Sequence, residues 1–295
     1  MVPPSTSVNE PTTRLLRDRM RRVFRHLPKA LGGSEEPLHQ LRIAGRRLRV
    51  ALPLLARKPE GRRVRRSLVI LRQVTRTAGS SRDLDVMVSL FDERWRELPP
   101  QSDDLKVLRR RLLAARSRSR RQMAEGLLDL EIARLRRDLR TIQARGGEPL
   151  FTFFVRTRHA RDEEGAELLT GLTNLADRFD PEGLHRIRID ARHLRYIAEL
   201  LDTLKGQSSG AHLLFKELQE GLGKIRDSYV LSAWFSKQKA LSRKRGQEGV
   251  AREAEALEEH FLETSKEHHR ALLSKQPRLM AERALIAMGG SRTAA

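Results

Sequence analysis

Two short series of basic side chains have the composition and spacing to bind a multivalent anion. The first stripe consists of His39, Arg42, Arg46 and Arg49. The second stripe consists of His185, Arg188, Arg192 and Arg195. At about 100° per residue of α-helix, each series falls within a sector of roughly 80°. Guanidinium groups match phosphate oxygens with paired hydrogen bonds, whereas like charges one turn apart destabilise a helix slightly. The stripes therefore indicate binding of a phosphate chain.

The histidine of each stripe adds a charge that depends on pH. An imidazole is close to half protonated near neutral pH, and a bound phosphate raises its pKa. We therefore expect anion binding to tighten as the pH falls toward about 6.

A helix must hold each stripe, and the apolar residues beside the stripe predict how that helix packs. In the first segment they are Leu38, Leu41, Ala44, Leu48, Leu52 and Leu55. In the second segment they are Leu184, Ile187, Ala191, Leu194, Ala198 and Leu201. When such an apolar face packs into a helical bundle, the neighbouring stripe lies at the rim of the core.

The two stripes belong to one sequence that occurs twice. Residues 38–49 read LHQLRIAGRRLR and residues 184–195 read LHRIRIDARHLR, so that His39 and His185 are 146 positions apart in an alignment without gaps. A second similarity follows each copy, because Arg82-Asp83 and Arg226-Asp227 are 144 positions apart. The sequence therefore predicts a tandem duplication with its seam at the Gly146-Gly147-Glu148-Pro149 break.

The remaining sequence indicates an all-α protein. Segments between proline and glycine breaks have apolar residues at three- and four-residue spacing, and strand-like alternation is scarce. We predict a disordered tail (1–12), a first repeat (13–147), a second repeat (148–275) and a C-terminal extension (276–295), with each repeat about the size of a four-helix bundle. The predicted helices span residues 13–31, 37–56, 61–95, 102–144, 152–178, 182–204, 209–240, 247–274 and 278–288.

The overall charge points to an anionic partner. The 295 residues contain 59 Lys and Arg against 38 Asp and Glu, which gives a formal net charge of +21. Nucleic acid, an anionic membrane surface and polyphosphate all carry enough negative charge to be that partner. The chain has no cysteine, which excludes disulfides, thiolate metal sites and a cysteine nucleophile.

The sequence shows neither a membrane span nor an export signal. No stretch approaches the roughly 18 apolar residues of a transmembrane helix, and the N-terminus lacks a short apolar run. We expect a soluble, unexported protein in the cytoplasm that binds no membrane. The oligomeric state cannot be predicted from the sequence.

The repeated motif resembles the CHAD family, named for conserved histidines in an α-helical domain. The resemblance rests on the paired H-x-x-R-x-x-x-R-x-L-R motif, on Tyr196 after the second copy and on the trailing G-x-x-R-D segments, and it covers about residues 13–275. It implies two four-helix bundles related by pseudo-twofold symmetry, with the motif helices bordering a basic groove or pore that binds inorganic polyphosphate. Some family members are fused to triphosphate-cleaving domains, and we expect this chain to be a stand-alone member.

The resemblance also implies which side chains contact the anion. Carried over position by position, they are the eight residues of the two stripes, with an arginine at 192 where the family often has lysine. Further basic residues on the following helices resemble those that extend the groove: Arg72, Arg76, Arg82, Lys216, Lys224 and Arg226. Tyr196 could donate a hydrogen bond to the anion or pack against its neighbours. Asp83 and Asp227 would repel phosphate, so an Arg-Asp pair that braces the bundle stays an alternative to ligand contact there.

Two other functions compete with polyphosphate binding. Non-specific nucleic-acid binding is the main alternative, although no helix-turn-helix, zinc or RNA-binding motif is present. An enzyme of phosphate metabolism would use His39 and His185 as acid, base or phosphoryl acceptor, but hydrolysis of this kind usually recruits carboxylates that bridge metal ions. The motif helices offer only Asp190 and Glu199, which do not recur between the halves. We therefore predict no catalysis, no metal and no cofactor, with possible targeting to polyphosphate granules.

Overall fold

The computed structural model of the chain describes residues 10–32, 35–98, 102–175 and 178–289, and helices make up nearly all of these residues. The first half contains α1 (Pro11–Leu31), α2 (Glu35–Leu55), α3 (Arg62–Glu97), α4 (Asp103–Leu128) and α5 (Ile132–Ala144). The second half contains α6 (Leu150–Asn174), α7 (Pro181–Lys205), α8 (Ala211–Lys244), α9 (Glu248–Leu273) and α10 (Pro277–Ala287). The all-α prediction is confirmed.

The helices of the two halves follow the same order of lengths. They contain 21, 21, 36, 26 and 13 residues in the first half and 25, 25, 34, 26 and 11 in the second. This order is what a tandem duplication predicts, and it pairs α2 with α7 and α3 with α8. Each half has five helices in the described residues, whereas we had expected about four.

The fifth helix of each half accounts for that difference. We predicted one helix over 102–144, but the chain leaves the helix after Leu128 and starts a new one at Ile132. The break turns α5 onto α3, where it buries Leu135 and Leu139, which a continuous helix would carry away from the core. At the C-terminus α10 packs on α6 and α8 and has Ala281 fully buried, so this part of the predicted extension belongs to the folded core.

The predicted seam ties the two halves together through backbone contacts. Thr12 Oγ1 donates to the Glu148 carbonyl at 2.7 Å, and Gly147 N donates to Thr13 Oγ1 at 2.7 Å. Glu148 N donates to the carbonyl of Leu55 at the end of α2, over 2.9 Å. A Cβ on Gly147 would lie 2.7 Å from the Thr13 backbone nitrogen, which explains glycine here. Residues 11 and 12, which we predicted as part of a disordered tail, belong to α1. Residues 1–9 and 290–295 of the predicted tails lie outside the described residues.

Two apolar clusters form the core, and each takes residues from both halves. The larger cluster joins α1, α2, α5, α6, α7 and α10 with the first parts of α3 and α8 and the last parts of α4 and α9. The smaller cluster joins the far ends of α3 and α8 with α4 and α9, and in it the rings of Phe91 and Phe235 are 5.7 Å apart. Burial of such a side chain stabilises a fold by roughly 1.5–3 kcal/mol. The apolar contacts thus cross the sequence boundary at 147, instead of forming one separate core for each repeat.

Candidate functional site

Helices α2 and α7 pack against each other and bring the two stripes together. The pKa of Arg46 on α2 falls to about 10, because the side chain is largely buried and because Arg192 and Arg188 of α7 add their positive charge. The pKa of Arg192 also falls to about 10, through burial and through the positive charges of Arg188, Arg49 and Arg42. The two stripes therefore form one basic site across the junction of the two halves.

The apolar faces predicted from the sequence hold the stripes at the rim of the larger core. Leu41 and Leu48 on α2 and Ala191 and Leu194 on α7 are fully buried. The stripe side chains beside them are all partly buried. This arrangement removes water from the guanidinium groups without closing them off from a ligand.

Close packing of α2 on α3 orients the far end of the first stripe. Gly45 lets the helices approach, since a Cβ there would lie 2.7 Å from Thr75 Cγ2. Arg49 Nη1 donates to Thr75 Oγ1 at 3.3 Å. In the second half Arg195 Nη1 donates to Gln219 Oε1 at 3.1 Å, and Gln219 follows Thr75 by the same 144 positions that separate the Arg-Asp pairs. Each stripe is thus oriented by a polar side chain of the following helix.

The aspartates of the trailing segments face stripe arginines. Arg42 Nη1 lies 3.8 Å from Asp83 Oδ1. In the second half the negative charge of Asp227 acts on Arg188 and opposes the fall in the pKa of that arginine, which burial causes. Burial raises the pKa of Asp227, and Arg188 opposes that rise. The geometry therefore favours the alternative in which these carboxylates orient motif arginines.

The two histidines occupy equivalent environments. Burial lowers the pKa of His39, and the positive charges of Arg42 and Arg82 lower it further. Burial and the charges of Arg226 and Arg188 do the same to His185. Nδ1 of each imidazole is buried without a hydrogen-bond partner among the described residues, as is Nε of Arg42 and of Arg188. The same polar atoms of the two halves are therefore buried and unpartnered in the described part of the chain.

Tyr196 is part of the framework of the site. Only 5% of the residue is exposed, and the guanidinium groups of Arg195 and Arg47 lie 5.4 and 5.6 Å from the centre of its ring. Cations at these distances are attracted to an aromatic face. Packing, the second of the two roles predicted for Tyr196, accounts for its position.

Glu199 binds arginines of both halves, and the sequence alone does not predict this shared contact. Glu199 Oε1 accepts hydrogen bonds from Arg47 Nη2 at 2.8 Å and from Arg195 Nε at 3.3 Å. The pair with Arg195 could be expected from the four-residue spacing, whereas the pair with Arg47 depends on the packing of α2 on α7. The sequence offers one signal for this second pair: Arg47 is a basic residue beside the first stripe, and Glu199 is an acidic residue without a counterpart in the first half.

The residues predicted to extend the groove fall into two groups. Arg72 lies close enough to Arg49 to lower its pKa, and Arg82 and Arg226 do the same to His39 and His185. The others are exposed on α3 and α8. Lys216 Nζ lies 3.6 Å from Glu220, and Lys224 adjoins His268 of α9. Arg76 is exposed, and no described contact joins it to a stripe.

The described residues show neither a metal site nor a membrane span. No group of three or more His, Asp or Glu side chains there could hold a metal ion. No helix in that part of the chain is long and apolar enough to cross a membrane.

Together the fold and the site define an all-helical protein with a basic surface built from two equivalent helices. The family model of the CHAD domain matches residues 14–236, so the chain belongs to the CHAD family. Its fold is similar to the crystal structure of the CHAD domain from the plant Ricinus communis, with 21% identity, a TM-score of 0.62 and coverage of 94% of this chain and 93% of that one. No curated protein matches the sequence.

Proposed function

We propose that the paired stripes bind inorganic polyphosphate. The observation that carries this proposal is the convergence of the stripes across the α2–α7 junction, where the pKa of Arg42, Arg46 and Arg192 falls to about 10. Partly buried guanidinium groups that repel one another lower the stability of the free protein. A polyanion with closely spaced negative charges offsets this repulsion.

The shape of the site supports a single phosphate chain over a nucleic-acid duplex. The stripe side chains are partly buried, and a cavity of about 280 Å³ opens beside His39 and Arg82. Its lining also includes the carboxylates of Glu36 and Asp85, which narrow the surface on which an anion can lie. A thin chain can enter between these groups, whereas a rigid duplex reaches only exposed cations.

Non-specific nucleic-acid binding stays a second candidate because another basic surface is exposed. On α5 the side chains of Arg136, Arg137 and Arg140 line a shallow groove of about 510 Å³. Such a surface, away from the stripes, suits the phosphates of DNA or RNA without reading sequence.

A competition experiment separates the two functions. We expect labelled polyphosphate bound to the protein to be displaced by unlabelled polyphosphate but poorly by duplex DNA of equal total charge, at the same salt concentration. Displacement by DNA at equal or lower concentration would favour the nucleic-acid function. A triple Arg136→Gln, Arg137→Gln and Arg140→Gln variant serves as the matched control, since it should weaken DNA binding and leave polyphosphate binding intact.

We further propose that the protein binds polyphosphate without cleaving it. The carboxylates beside the stripes, Asp83, Asp227 and Glu199, face arginines and are placed to orient them. The chain length of polyphosphate incubated with the protein and magnesium or manganese should stay constant on a gel, and shortening would contradict the proposal. In a cell that stores polyphosphate, such a cytoplasmic binder is expected on the polyphosphate granules.

A further inference from the structure

A second basic cleft lies between α1 and α2. Its volume is about 220 Å³, large enough for a phosphate group. Four arginines line it, together with His26, Gln40, Ile43 and Ala44: they are Arg19, Arg22, Arg25 and Arg47. On α1 the arginines are three residues apart, so they form a row along the cleft.

Arg19 distinguishes the cleft from an ordinary charged surface, because this arginine is buried. Only 7% of the residue is exposed, yet it is an arginine, and its Nε is buried without a hydrogen-bond partner among the described residues. Nε of Arg47 is in the same situation. Burial and the positive charge of Arg47 lower the pKa of Arg19. Two buried donors that repel each other therefore line one cavity, an arrangement that an anion would stabilise.

The charge of the cleft remains positive after its carboxylates are counted. Arg22 Nε donates to Asp18 Oδ2 at 2.9 Å, and Arg47 donates to Glu199. Asp18 and Glu199 balance two of the four guanidinium groups. The other two, of Arg19 and Arg25, leave an excess of positive charge.

The cleft adjoins the second stripe through Glu199. One oxygen of this carboxylate accepts from both Arg47, in the cleft, and Arg195, at the end of the second stripe. The end of the second stripe and the cleft are therefore neighbours, with Arg195 and Arg47 on either side of Glu199. Arg19, Arg22 and Arg25 follow in the cleft.

The corresponding face of α7 in the second half has the opposite character. The residues that follow Ala44 and Arg47 by 146 positions are Asp190 and His193. His193 Nδ1 lies 3.8 Å from Glu164 of α6. Burial raises the pKa of Asp190, and the negative charge of Glu167 raises it further. A phosphate chain is repelled there, so the two equivalent ends of the site differ.

We propose that the α1–α2 cleft binds the phosphates of a polyphosphate chain that extend beyond Arg195 of the second stripe. The inference rests on the proposed function of the stripes. A long polyphosphate chain then extends from the stripes past α1 and not past α6, because the equivalent path past α6 is acidic. Short chains fill the stripes alone, and only longer chains reach the cleft.

The test compares chain lengths in matched variants of α1. An Arg22→Gln/Arg25→Gln variant removes two exposed arginines of the cleft, and an Arg14→Gln/Arg21→Gln variant removes two exposed arginines of the same helix that do not line it. Affinity for tripolyphosphate and for a chain of several tens of phosphates is measured for both variants and the unchanged protein. We expect the cleft variant to lose at least about tenfold affinity for the long chain relative to the control, because charge-assisted hydrogen bonds to phosphate are strong. Its affinity for tripolyphosphate should match that of the control.

The outcomes separate this inference from the proposed function. If the unchanged protein binds the long chain and the two variants weaken that binding equally, the cleft is not a subsite although the stripes still bind polyphosphate. If the unchanged protein binds neither ligand, the proposed function itself is wrong. A Gln40→Glu variant, which places a carboxylate in the cleft from α2, should reproduce the loss for the long chain independently of any effect on α1.

Discussion

Replacement of Arg42 by methionine should stabilise the free protein and weaken polyphosphate binding. The side chain of Arg42 is 14% exposed and its Nε has no hydrogen-bond partner among the described residues. Its pKa falls to about 10, because the side chain is buried and because Arg46 and Arg188 add their positive charge, while Asp83 opposes the fall. Methionine keeps an unbranched apolar stem in the same space and removes the charge.

The sign follows from the protonation states. Arg42 is protonated at neutral pH whether the protein is folded or unfolded, and its pKa is lower in the folded state. The charge therefore lowers stability at every pH below about 10, and this cost disappears only as the pH rises toward the ordinary pKa of arginine. The lowered pKa sets an upper limit of about 3 kcal/mol for the cost.

The expected gain in stability is smaller than this limit. The contact with the half-exposed Asp83 contributes under about 1 kcal/mol and is lost in the variant. We expect Arg42→Met to raise the free energy of unfolding by about 1–2 kcal/mol, which corresponds to a Tm higher by roughly 2–6 °C. Polyphosphate affinity should fall about tenfold, since a hydrogen bond between charged groups contributes about 1.5–3 kcal/mol.

Thermal unfolding and titration with polyphosphate at neutral pH measure both effects. Arg66→Met is the matched control, because Arg66 donates from Nε and Nη2 to the two oxygens of Asp138, each at 2.6 Å. The control should lower Tm and leave polyphosphate binding unchanged. A lower Tm for Arg42→Met, or a higher Tm with unchanged affinity, would refute the reasoning that the stripe arginines destabilise the free protein and bind the polyanion.

Three further predictions follow from the site. Polyphosphate affinity should increase as the pH falls through and below the ordinary range of histidine. The reason is that the pKa of His39 and of His185 is lowered in the free protein, and a bound phosphate raises it. A His39→Gln/His185→Gln variant should lose this dependence in titrations between pH 8 and 5, roughly the range over which imidazoles titrate. The slope of log affinity against log salt should become shallower by about 1 for each stripe arginine changed to glutamine, as long as that arginine contacts one phosphate. Gly45→Val should destabilise the protein by about 1–3 kcal/mol in a denaturant titration, because the valine side chain would meet Thr75. Gly79→Ala should instead stabilise helix α3 by about 0.5–1 kcal/mol, because a Cβ there meets nothing within 4 Å.

The sequence predicts those parts of the site that depend on a single helix. Helical periodicity places His39, Arg42, Arg46 and Arg49 on one face and the leucines on the next, and the structure has the apolar face buried and the stripe at its rim. The repeat of the motif predicts that a second helix carries the same face. The family resemblance, also drawn from these residues, is confirmed.

What depends on packing between helices could not be predicted from the sequence. The periodic pattern of 102–144 runs through the point where α4 ends, because both parts are amphipathic and the turn at 129–131 contains no proline or glycine. The apolar pattern marks which residues are buried but not which helices share a core, so the clusters that join the two halves were missed. The pair between Arg47 and Glu199 spans 152 positions and exists only because α2 packs on α7.

The central claim is that the two stripes form one polyphosphate site, and calorimetric titration of polyphosphate of defined length tests it most directly. The protein is compared with an Arg42→Glu/Arg188→Glu variant and with an Arg110→Glu/Arg252→Glu variant, which changes the net charge equally at exposed positions of α4 and α9. We predict salt-sensitive binding that is abolished in the stripe variant and retained in the control. Equal loss in both variants, or undiminished binding in the stripe variant, would contradict the claim.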